Sequence, residues 1–369
     1  MRAVAVTSAR REIGIVDRPV PEPGHGEVLL STIEVGICGT DREIAAFQYG
    51  TPPAGEHSLV IGHESLAEVV EVGSGVDGLR LGDLVVAMVR RPCDRPECRP
   101  CAAGRQDFCS TGAYRERGIK ELHGFMAERF ADEPRFLQRV PPELRESAVL
   151  VEPLTIAEKA VAEVWEIQRR LPWIDDEAPH ERRGEGLRAV VLGAGPVGLL
   201  AAMVLREAGF GVTVCARQPP PNPKAAVAEA IGAEYRSLGD TPMTEVARRL
   251  GRIDFVYEAV GAAEPAFEMV GQLGANGIFA FTGVPGRRAP VEFDAEGMMR
   301  NLVLRNQVVF GSVNAPAAAY AAGIDDLARF RRTWPGAVES LITARHSLEA
   351  APALLRERPP GIKHAVVMT

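Results

Sequence analysis

Four cysteines lie within seventeen residues, at a spacing suited to holding a metal ion. Cys93, Cys98, Cys101 and Cys109 are separated by four, two and seven residues, in a chain that has six cysteines. Four thiolates this close together suit a tetrahedral structural zinc with no open position. A disulfide pair and free cysteines are the alternatives; a reducing compartment disfavours the first and the clustering disfavours the second. Such a zinc stabilises a lobe, here about 93–109, and does no chemistry.

A second group of metal-binding residue types is spread along the chain. "GICGTD" supplies Cys38, "GHE" supplies His63 and Glu64, and "VEP" supplies Glu152. A thiolate, an imidazole and a carboxylate can hold one zinc and leave a fourth position for water or substrate, as a catalytic zinc requires. Taken singly, these residues are equally a buried cysteine, a hydrogen-bonded histidine and a glutamate at a helix N-terminus. Spacing alone does not bring them together.

A glycine-rich turn indicates a dinucleotide. "GAGPVG" places Gly193, Gly195 and Gly198 in a GxGxxG pattern that follows an apolar strand and opens a helix. The first glycine allows the tight turn, the second lets a pyrophosphate approach the backbone, and the third lets the helix pack on the strand. The N-terminus of the helix then faces the phosphates. The alternative is a glycine-rich turn without a ligand.

The end of the next predicted strand bears on the choice between NAD and NADP. An acidic residue there would bind the ribose 2′-hydroxyl of NAD. This chain has "VCARQPP", with Arg217 and no acid. A planar guanidinium can pair with a 2′-phosphate, so the sequence favours NADP, with NAD use left open. The alternatives for Arg217 are stacking on adenine and simple solvation.

Composition and charge narrow the classes of function. The chain has 369 residues, of which 46% are hydrophobic and 25% charged, as expected of a two-domain globular protein. The net charge of −7 disfavours nucleic acid as a partner, because phosphate binding needs a basic surface. The first twenty residues lack the apolar segment of a signal peptide, and the longest uncharged run, 189–205, falls short of a membrane span. We therefore expect a cytoplasmic protein without membrane or nucleic-acid partners.

The elements that must position these residues change in type along the chain. Residues 1–110 contain short apolar runs closed by glycine, which are typical of antiparallel strands in a barrel or sandwich. Apolar residues at helical spacing predict a helix over 152–171, and a polar linker follows at 172–186. From residue 187 onward, strand-like and helix-like segments alternate, which predicts a parallel doubly wound sheet.

The order of these motifs resembles that of zinc-dependent medium-chain dehydrogenases. The resemblance covers essentially the whole chain, although the first cysteine gap is four residues where two are common in the superfamily. Within that superfamily the sequence looks most like the archaeal-type glucose 1-dehydrogenases. The stretches that support this resemblance are "GTDREI", "VRRPC", "RERGI", "HGFMAE", "EPLTIAEKA", "FVYEAVG" and "GSVN".

The resemblance implies roles for the metal-binding residues. Cys38, His63 and Glu152 would bind the catalytic zinc, with Glu64 beside it as a candidate exchanging ligand. Thr40 would hydrogen-bond the reacting hydroxyl. The second zinc, a structural one, would lie in the four-cysteine lobe.

The resemblance also implies residues for sugar and cofactor. Glu116 in "RERGI" and Glu158 in "AEKA" would contact sugar hydroxyls, and Asn314 in "GSVN" would lie between nicotinamide and sugar. The cofactor would be bound by the glycine turn and the strand after it: Gly193, Gly195, Pro196, Val197, Gly198 and Arg217.

The fold implied by the resemblance is α/β. A β-rich, GroES-like catalytic domain would span 1–187, a doubly wound Rossmann domain would span 188–308, and the chain would return to the catalytic domain over 309–369. A homodimer or homotetramer is expected on the same ground.

The reaction implied is oxidation of the anomeric hydroxyl of an aldose, most closely D-glucose to D-glucono-1,5-lactone. Zinc would act as a Lewis acid on the hydroxyl, and hydride would pass from C1 to NAD(P)+. A sister enzyme acting on a polyol, an amino alcohol or a secondary-metabolite sugar is an alternative. A zinc- and NADP-binding protein without turnover is another, against which the intact Cys38, His63 and Glu152 argue. The acidic charge disfavours a third, a zinc-ribbon nucleic-acid binder.

Overall fold

The structure, a computed structural model, describes residues 1–175, 177–286 and 290–368. Residue 176 of the predicted linker lies outside the described residues. The chain divides into two compact units. The first comprises Met1–Thr155, Asn314–Arg329 and Ile342–Thr369, and the second comprises Ile156–Val313 and Phe330–Leu341.

Short apolar runs form the strands of the first unit, as the sequence predicts. These strands are β1 Arg2–Thr7, β2 Glu12–Asp17, β3 Val28–Gly36, β4 Leu59–Val60, β5 Glu64–Val72, β6 Leu84–Ala87, β7 Arg90–Arg91, β8 Arg115–Arg117, β9 Glu121–Leu122, β10 Arg129–Asp132 and β11 Leu137–Arg139. The helices in this part of the chain are α1 Gly39–Ala45, α2 Arg99–Ala102 and α3 Val151–Gln168. The helix predicted over 152–171 is thus found within three residues at each end, and it continues into the second unit.

The second unit is a parallel sheet flanked by helices. Its strands are β12 Arg188–Leu192, β13 Gly211–Ala216, β14 Glu234–Ser237, β15 Phe255–Glu258, β16 Ile278–Phe281 and β17 Val308–Gly311. The helices between them are α4 Pro196–Glu207, α5 Pro223–Ala230, α6 Met243–Leu250, α7 Ala263–Val270 and α8 Ala295–Leu304. The strand order β14-β13-β12-β15-β16-β17, with every pairing parallel, is that of a dinucleotide-binding fold and confirms the predicted doubly wound sheet.

The last part of the chain supplies the remaining elements. They are α9 Ala317–Thr333, α10 Pro335–Leu341, β18 Ile342–Ser347, α11 Ala351–Arg356 and β19 Lys363–Val367. Strand β19 pairs antiparallel with β3 and so completes the main sheet of the first unit, in the order β11-β6-β5-β3-β19-β18. The apolar core of this unit lies against that sheet and includes Leu30, Val35, Ile61 and Val366, all fully buried. In the described part of the chain, no helix is both long and apolar enough to cross a membrane.

Candidate active site

The first unit brings three of the predicted catalytic residues together. Cys38 is the residue before α1, His63 directly precedes β5, and Glu64 begins that strand. The antiparallel pairing of β3 with β5 places Gly36 opposite Glu64, so the two motifs lie at the same end of the sheet. The candidate ligand atoms of Cys38, His63 and Glu64 all lie within 4.8 Å of one another. Ligands bonded to one zinc at 2.0–2.3 Å are about 3.2–3.8 Å apart, so this set of sulfur, nitrogen and oxygen donors suits zinc.

Asp41 orients two of these residues. Its Oδ2 accepts a hydrogen bond from the backbone N–H of Cys38 at 2.8 Å, and its Oδ1 lies 3.1 Å from Nδ1 of His63. Burial opposes the charged imidazole of His63, yet the Asp41 carboxylate outweighs it and raises the pKa of His63 well above its usual value. With Nδ1 bonded to Asp41, Nε2 of His63 is the nitrogen left for a metal.

Two further charged groups lie in the same buried region. Burial raises the pKa of Glu152, and the nearby carboxylate of Glu64 adds to the shift. Glu152 is outside the three-residue set whose ligand atoms lie within 4.8 Å. Lys363 of β19 is buried, forms an ion pair with Oε2 of Glu64 and donates to the carbonyl of Ile37 at 3.2 Å. Glu64 therefore already has a cationic partner, whereas the pKa of Glu152 stays raised by burial although the charges of His63 and Lys363 act to lower it.

The four cysteines of the lobe converge as predicted. Their sulfur atoms all lie within 4.8 Å of one another, with 3.6 Å between Cys93 and Cys101 and 3.8 Å between Cys98 and Cys109. A disulfide would need about 2.05 Å. Four sulfurs bonded to one zinc at 2.3 Å are about 3.8 Å apart, so the arrangement suits a tetrahedral metal site. The backbone N–H of Cys101 lowers the pKa of the Cys98 thiol, which favours the metal-binding thiolate.

The glycine turn has the geometry that the three glycines predict. Gly193 has φ of +106°, which a residue with a side chain rarely adopts. A Cβ on Gly198 would collide with the carbonyl oxygen of Gly193, so only glycine lets α4 pack this close to β12. A Cβ on Gly195 would meet no atom within 4 Å, which leaves room for a phosphate at the N-terminus of α4. Pro196 and Val197 are the first two residues of that helix.

Arg217 lies where a group that selects the cofactor is expected. It directly follows β13, the strand next to β12 in the sheet, and its side chain is exposed. Its carbonyl oxygen accepts a hydrogen bond from Oγ of Ser237 at 3.3 Å, which fixes the backbone at this position. An exposed guanidinium here is free to pair with a phosphate group.

The predicted sugar-binding residues divide between the two units. Glu116 is buried in the first unit, where Nδ2 of Asn314 donates to its Oε1 at 3.3 Å. The N–H of Ala315 donates to Oδ1 of Asn314, which fixes the amide. Glu158 is half-buried on α3 in the second unit, where its charge acts on Tyr257. Thr40 is half-buried in the first turn of α1, two residues after Cys38.

Comparison with known proteins decides the family. Residues 145–368, more than half of the chain, match the family described as glucose dehydrogenase C-terminus, and residues 24–142 match the alcohol dehydrogenase GroES-like domain. Glucose 1-dehydrogenase of Methanocella arvoryzae is 40% identical over 95% of this chain and 94% of its own. The chain belongs to the glucose dehydrogenase family.

Other members of the glucose dehydrogenase family are similar over the same extent. Glucose 1-dehydrogenase of Metallosphaera sedula is 37% identical over 98% of this chain and 96% of its own. Among solved structures, Haloferax mediterranei glucose dehydrogenase in complex with NADP, Zn and gluconolactone has a TM-score of 0.88 at 32% identity, covering 100% of this chain and 99% of that one. The predicted superfamily and the predicted combination of a GroES-like domain with a Rossmann-type sheet are both confirmed.

Sequence reasoning did not place two side chains beside the candidate metal ligands, Asp41, which it named only as a candidate for the proton path, and Lys363. A sequence pattern could have predicted the contact of Asp41 with Cys38. An acidic residue three positions after the N-cap residue of a helix commonly accepts the backbone N–H of that N-cap residue. Lys363 had no such pattern, because it is 299 residues from Glu64 in sequence and reaches it only through the pairing of β19 with β3.

Proposed function

We propose that the protein is a zinc-dependent, NADP-using dehydrogenase that oxidises the anomeric hydroxyl of an aldose, with D-glucose giving D-glucono-1,5-lactone. The observation that supports this most is the similarity to glucose 1-dehydrogenases along the whole chain. It extends beyond the candidate metal and cofactor residues into the segment that contains Glu116 and into the one that contains Asn314. A dehydrogenase of simple alcohols would need few of these polar groups.

The proposed catalytic zinc is bound by Cys38, His63 and Glu152, with Glu64 as an exchanging ligand. The ion pair of Glu64 with Lys363 supports the distinction, since Lys363 compensates the charge of Glu64 without a metal. When bound, zinc supplies a Lewis acid that favours the alkoxide of the substrate, and NADP supplies the hydride acceptor. The hydroxyl of Thr40 is proposed to hydrogen-bond the reacting oxygen and so orient it.

The proposed structural zinc is bound by the four lobe cysteines. Its support is the tetrahedral spacing of the sulfur atoms, which leaves no position for a substrate. Thiolate ligands of this kind persist where thiols stay reduced, so we propose a cytoplasmic enzyme.

The proposed cofactor contacts combine backbone and side chain. The turn Gly193–Gly195 and the first residues of α4, Pro196, Val197 and Gly198, are proposed to hold the pyrophosphate, and Arg217 the 2′-phosphate of NADP. NAD is the alternative cofactor, because the glycine turn would hold the pyrophosphate that both cofactors share.

The proposed sugar contacts are Glu116, Asn314 and Glu158. Carboxylates and amides that bond hydroxyl groups discriminate strongly, because they are left unpaired when the hydroxyl is absent. Glu116, which is buried, and Asn314, which is half-buried, support this role because Nδ2 of Asn314 lies 3.3 Å from Oε1 of Glu116 in the first unit.

We also propose that the enzyme is a homo-oligomer, a dimer or a tetramer. Among the described residues β17 pairs only with β16, so one edge of the parallel sheet is unpaired. Exposed apolar side chains lie on this strand, just after it and on the preceding helix: Val309, Val313, Met299, Val303 and Leu304. Unpaired edges with apolar surface are typical of subunit contacts.

A substrate panel tests the proposed reaction. NADP+ reduction is measured with D-glucose, 2-deoxyglucose, galactose, xylose, sorbitol and ethanol, for the unsubstituted enzyme and for Glu116→Gln. Glucose should be the best substrate and ethanol a poor one, and the substitution should reduce discrimination among aldoses. Glu121→Gln is the matched control, because Glu121 is exposed and lies opposite Glu116 on the neighbouring strand. If sorbitol outpaced every aldose, the enzyme would act on polyols and the glucose assignment would be wrong.

A further inference from the structure

Arg90 connects the four-cysteine lobe to the proposed sugar-binding carboxylate. Its side chain is only 5% exposed, and β7 pairs with β8 so that Arg90 lies directly opposite Glu116. The N–H groups of a buried arginine need hydrogen-bond acceptors, and its charge needs a partner of opposite sign. The groups that surround this guanidinium belong to two different parts of the first unit.

One nitrogen of the Arg90 guanidinium is hydrogen-bonded to the lobe. Its Nη1 donates to the carbonyl oxygen of Asp107 at 3.0 Å, in the short turn between Cys101 and Cys109. Arg90 itself lies three residues before Cys93, the first cysteine of the lobe. The ring of Tyr114 covers the guanidinium, with its centroid 3.8 Å from Cζ. Both partners of this hydrogen bond therefore lie next to lobe cysteines in sequence, Arg90 near Cys93 and Asp107 near Cys109.

The other two nitrogens of the Arg90 guanidinium bond Glu116. Both Nε and Nη2 of Arg90 lie 2.9 Å from Oε1 of Glu116, the oxygen to which Asn314 also donates. Within the described part of the chain, no hydrogen bond reaches Oε2 of Glu116, although the residue is only 4% exposed. The carboxylate is thus fixed through one oxygen, and the other remains available as an acceptor for a ligand hydroxyl.

We propose that Arg90 is a positioning residue for sugar binding, and that the lobe, with its metal, sets the position of Glu116 through Arg90. This inference rests on the proposed function, because it takes Glu116 as a sugar contact. It gives the four-cysteine site a part in specificity in addition to its part in stability. Loss of the lobe metal releases the turn at Asp107, Arg90 loses one of its two anchors, and Oε2 of Glu116 no longer has a fixed direction.

Arg90→Lys tests the positioning role. Lysine keeps the charge, but its single nitrogen cannot replace the two arginine nitrogens that converge on Oε1 of Glu116 and the third that bonds the carbonyl of Asp107. The dissociation constant of D-glucose is measured by calorimetry in the presence of NADPH, so that no turnover is needed, and NADPH binding is measured by its fluorescence. We expect glucose binding to weaken about tenfold, which corresponds to the loss of one hydrogen bond to the sugar, with NADPH binding unchanged.

Arg91→Lys is the matched control. Arg91 is equally buried, and it too bonds a backbone carbonyl, that of Met88, and a carboxylate, that of Asp132, while stacking on Phe136. None of these groups is Glu116. The control should change glucose binding less than twofold, whatever it does to the melting temperature. Equal weakening by both substitutions would overturn the proposal, because the effect would then come from lost packing.

Two further variants keep the test decisive if Arg90→Lys does not fold. Tyr114→Leu removes the half-buried ring over Arg90 and should weaken glucose binding about two- to fivefold. Cys101→Ser should lower the zinc content by one per chain and weaken glucose binding without affecting NADPH. A folded Cys101→Ser protein that has lost one zinc and binds glucose normally would contradict the role of the lobe. If the unsubstituted enzyme bound no aldose, the proposed function would fail, and this inference with it.

Discussion

The carboxylate of Asp41 lies 3.1 Å from Nδ1 of His63 and also accepts the backbone N–H of Cys38. A single side chain therefore fixes the ring of one candidate zinc ligand and the backbone of another. Asp41 is fully buried, so its contacts with these two groups are shielded from water. Partners of this kind orient metal ligands and make them more basic.

Replacing Asp41 by asparagine should lower both zinc affinity and turnover. An amide carries no charge to stabilise the ring proton on Nδ1, so we expect a loss of about 10- to 100-fold in kcat/KM. Zinc content after dialysis and steady-state kinetics measure the two effects. Asp83→Asn is the control, because that carboxylate also accepts a backbone N–H, that of Arg80, in a turn. Normal zinc retention and normal kinetics in Asp41→Asn would contradict the assigned role.

The enzyme should contain two zinc ions per chain with separable functions. Cys93→Ser should mainly lower stability, since it removes one of four ligands from a closed site, whereas His63→Ala should mainly lower turnover. Elemental analysis, melting temperature and kinetics distinguish the two. One zinc or none in carefully purified protein would count against this division. So would two variants of unchanged stability that both lose all turnover.

Arg217→Ala should weaken NADP much more than NAD. A charge-assisted contact with the 2′-phosphate corresponds to about tenfold to a hundredfold in affinity, and NAD has no such phosphate. Dissociation constants of both reduced cofactors, measured by fluorescence, give the comparison, and NADH serves as the internal control. Equal weakening of the two would indicate that Arg217 stacks on adenine instead.

The free energy of unfolding should fall as the pH drops below about 6.5, partly because of His123. Burial lowers the pKa of this histidine, and the N–H of Val60 donates to its Nδ1 at 3.2 Å, which requires an unprotonated nitrogen. The unfolded chain takes up the proton near its ordinary pKa of 6.5, and the folded protein does so only at lower pH. The stabilisation is therefore present above pH 6.5 and is lost as the pH falls.

Urea denaturation at pH 7.5 and 5.5, at fixed zinc concentration, measures this contribution. His123→Gln should lose less stability between the two values than the unsubstituted protein. His57→Gln, at an exposed position, should keep the original pH dependence. The assignment is wrong if the two variants behave alike.

The elements that depend on local pattern could be predicted from the sequence. The glycine turn predicted a strand, a tight turn and a helix, and the structure has β12, φ of +106° at Gly193, and α4 in that order. The long first gap of the cysteine cluster does not prevent convergence, because residues 94–97 form an exposed loop between Cys93 and Cys98. Local spacing decides both features, so no long-range information is needed.

Contacts between distant segments could not be predicted in this way. Glu116 and Asn314 are 198 residues apart, and only the resemblance to a family suggested that they act together. Arg90 was part of a recognised stretch, yet its contacts with Asp107 and Glu116 depend on the register of β7 with β8. Sequence periodicity shows which face of a strand is buried, but it does not show which strand lies beside it.

In the proposed reaction, hydride leaves C1 of an aldose for the nicotinamide. The most direct measurement uses D-glucose deuterated at C1 with NADP+, followed by mass spectrometry of the reduced cofactor. The proposed reaction predicts one deuterium in each NADPH formed and D-glucono-1,5-lactone or its hydrolysis product in equal amount. NADPH without deuterium, or no reduction of the cofactor by glucose in a protein that contains both zinc ions, would contradict it.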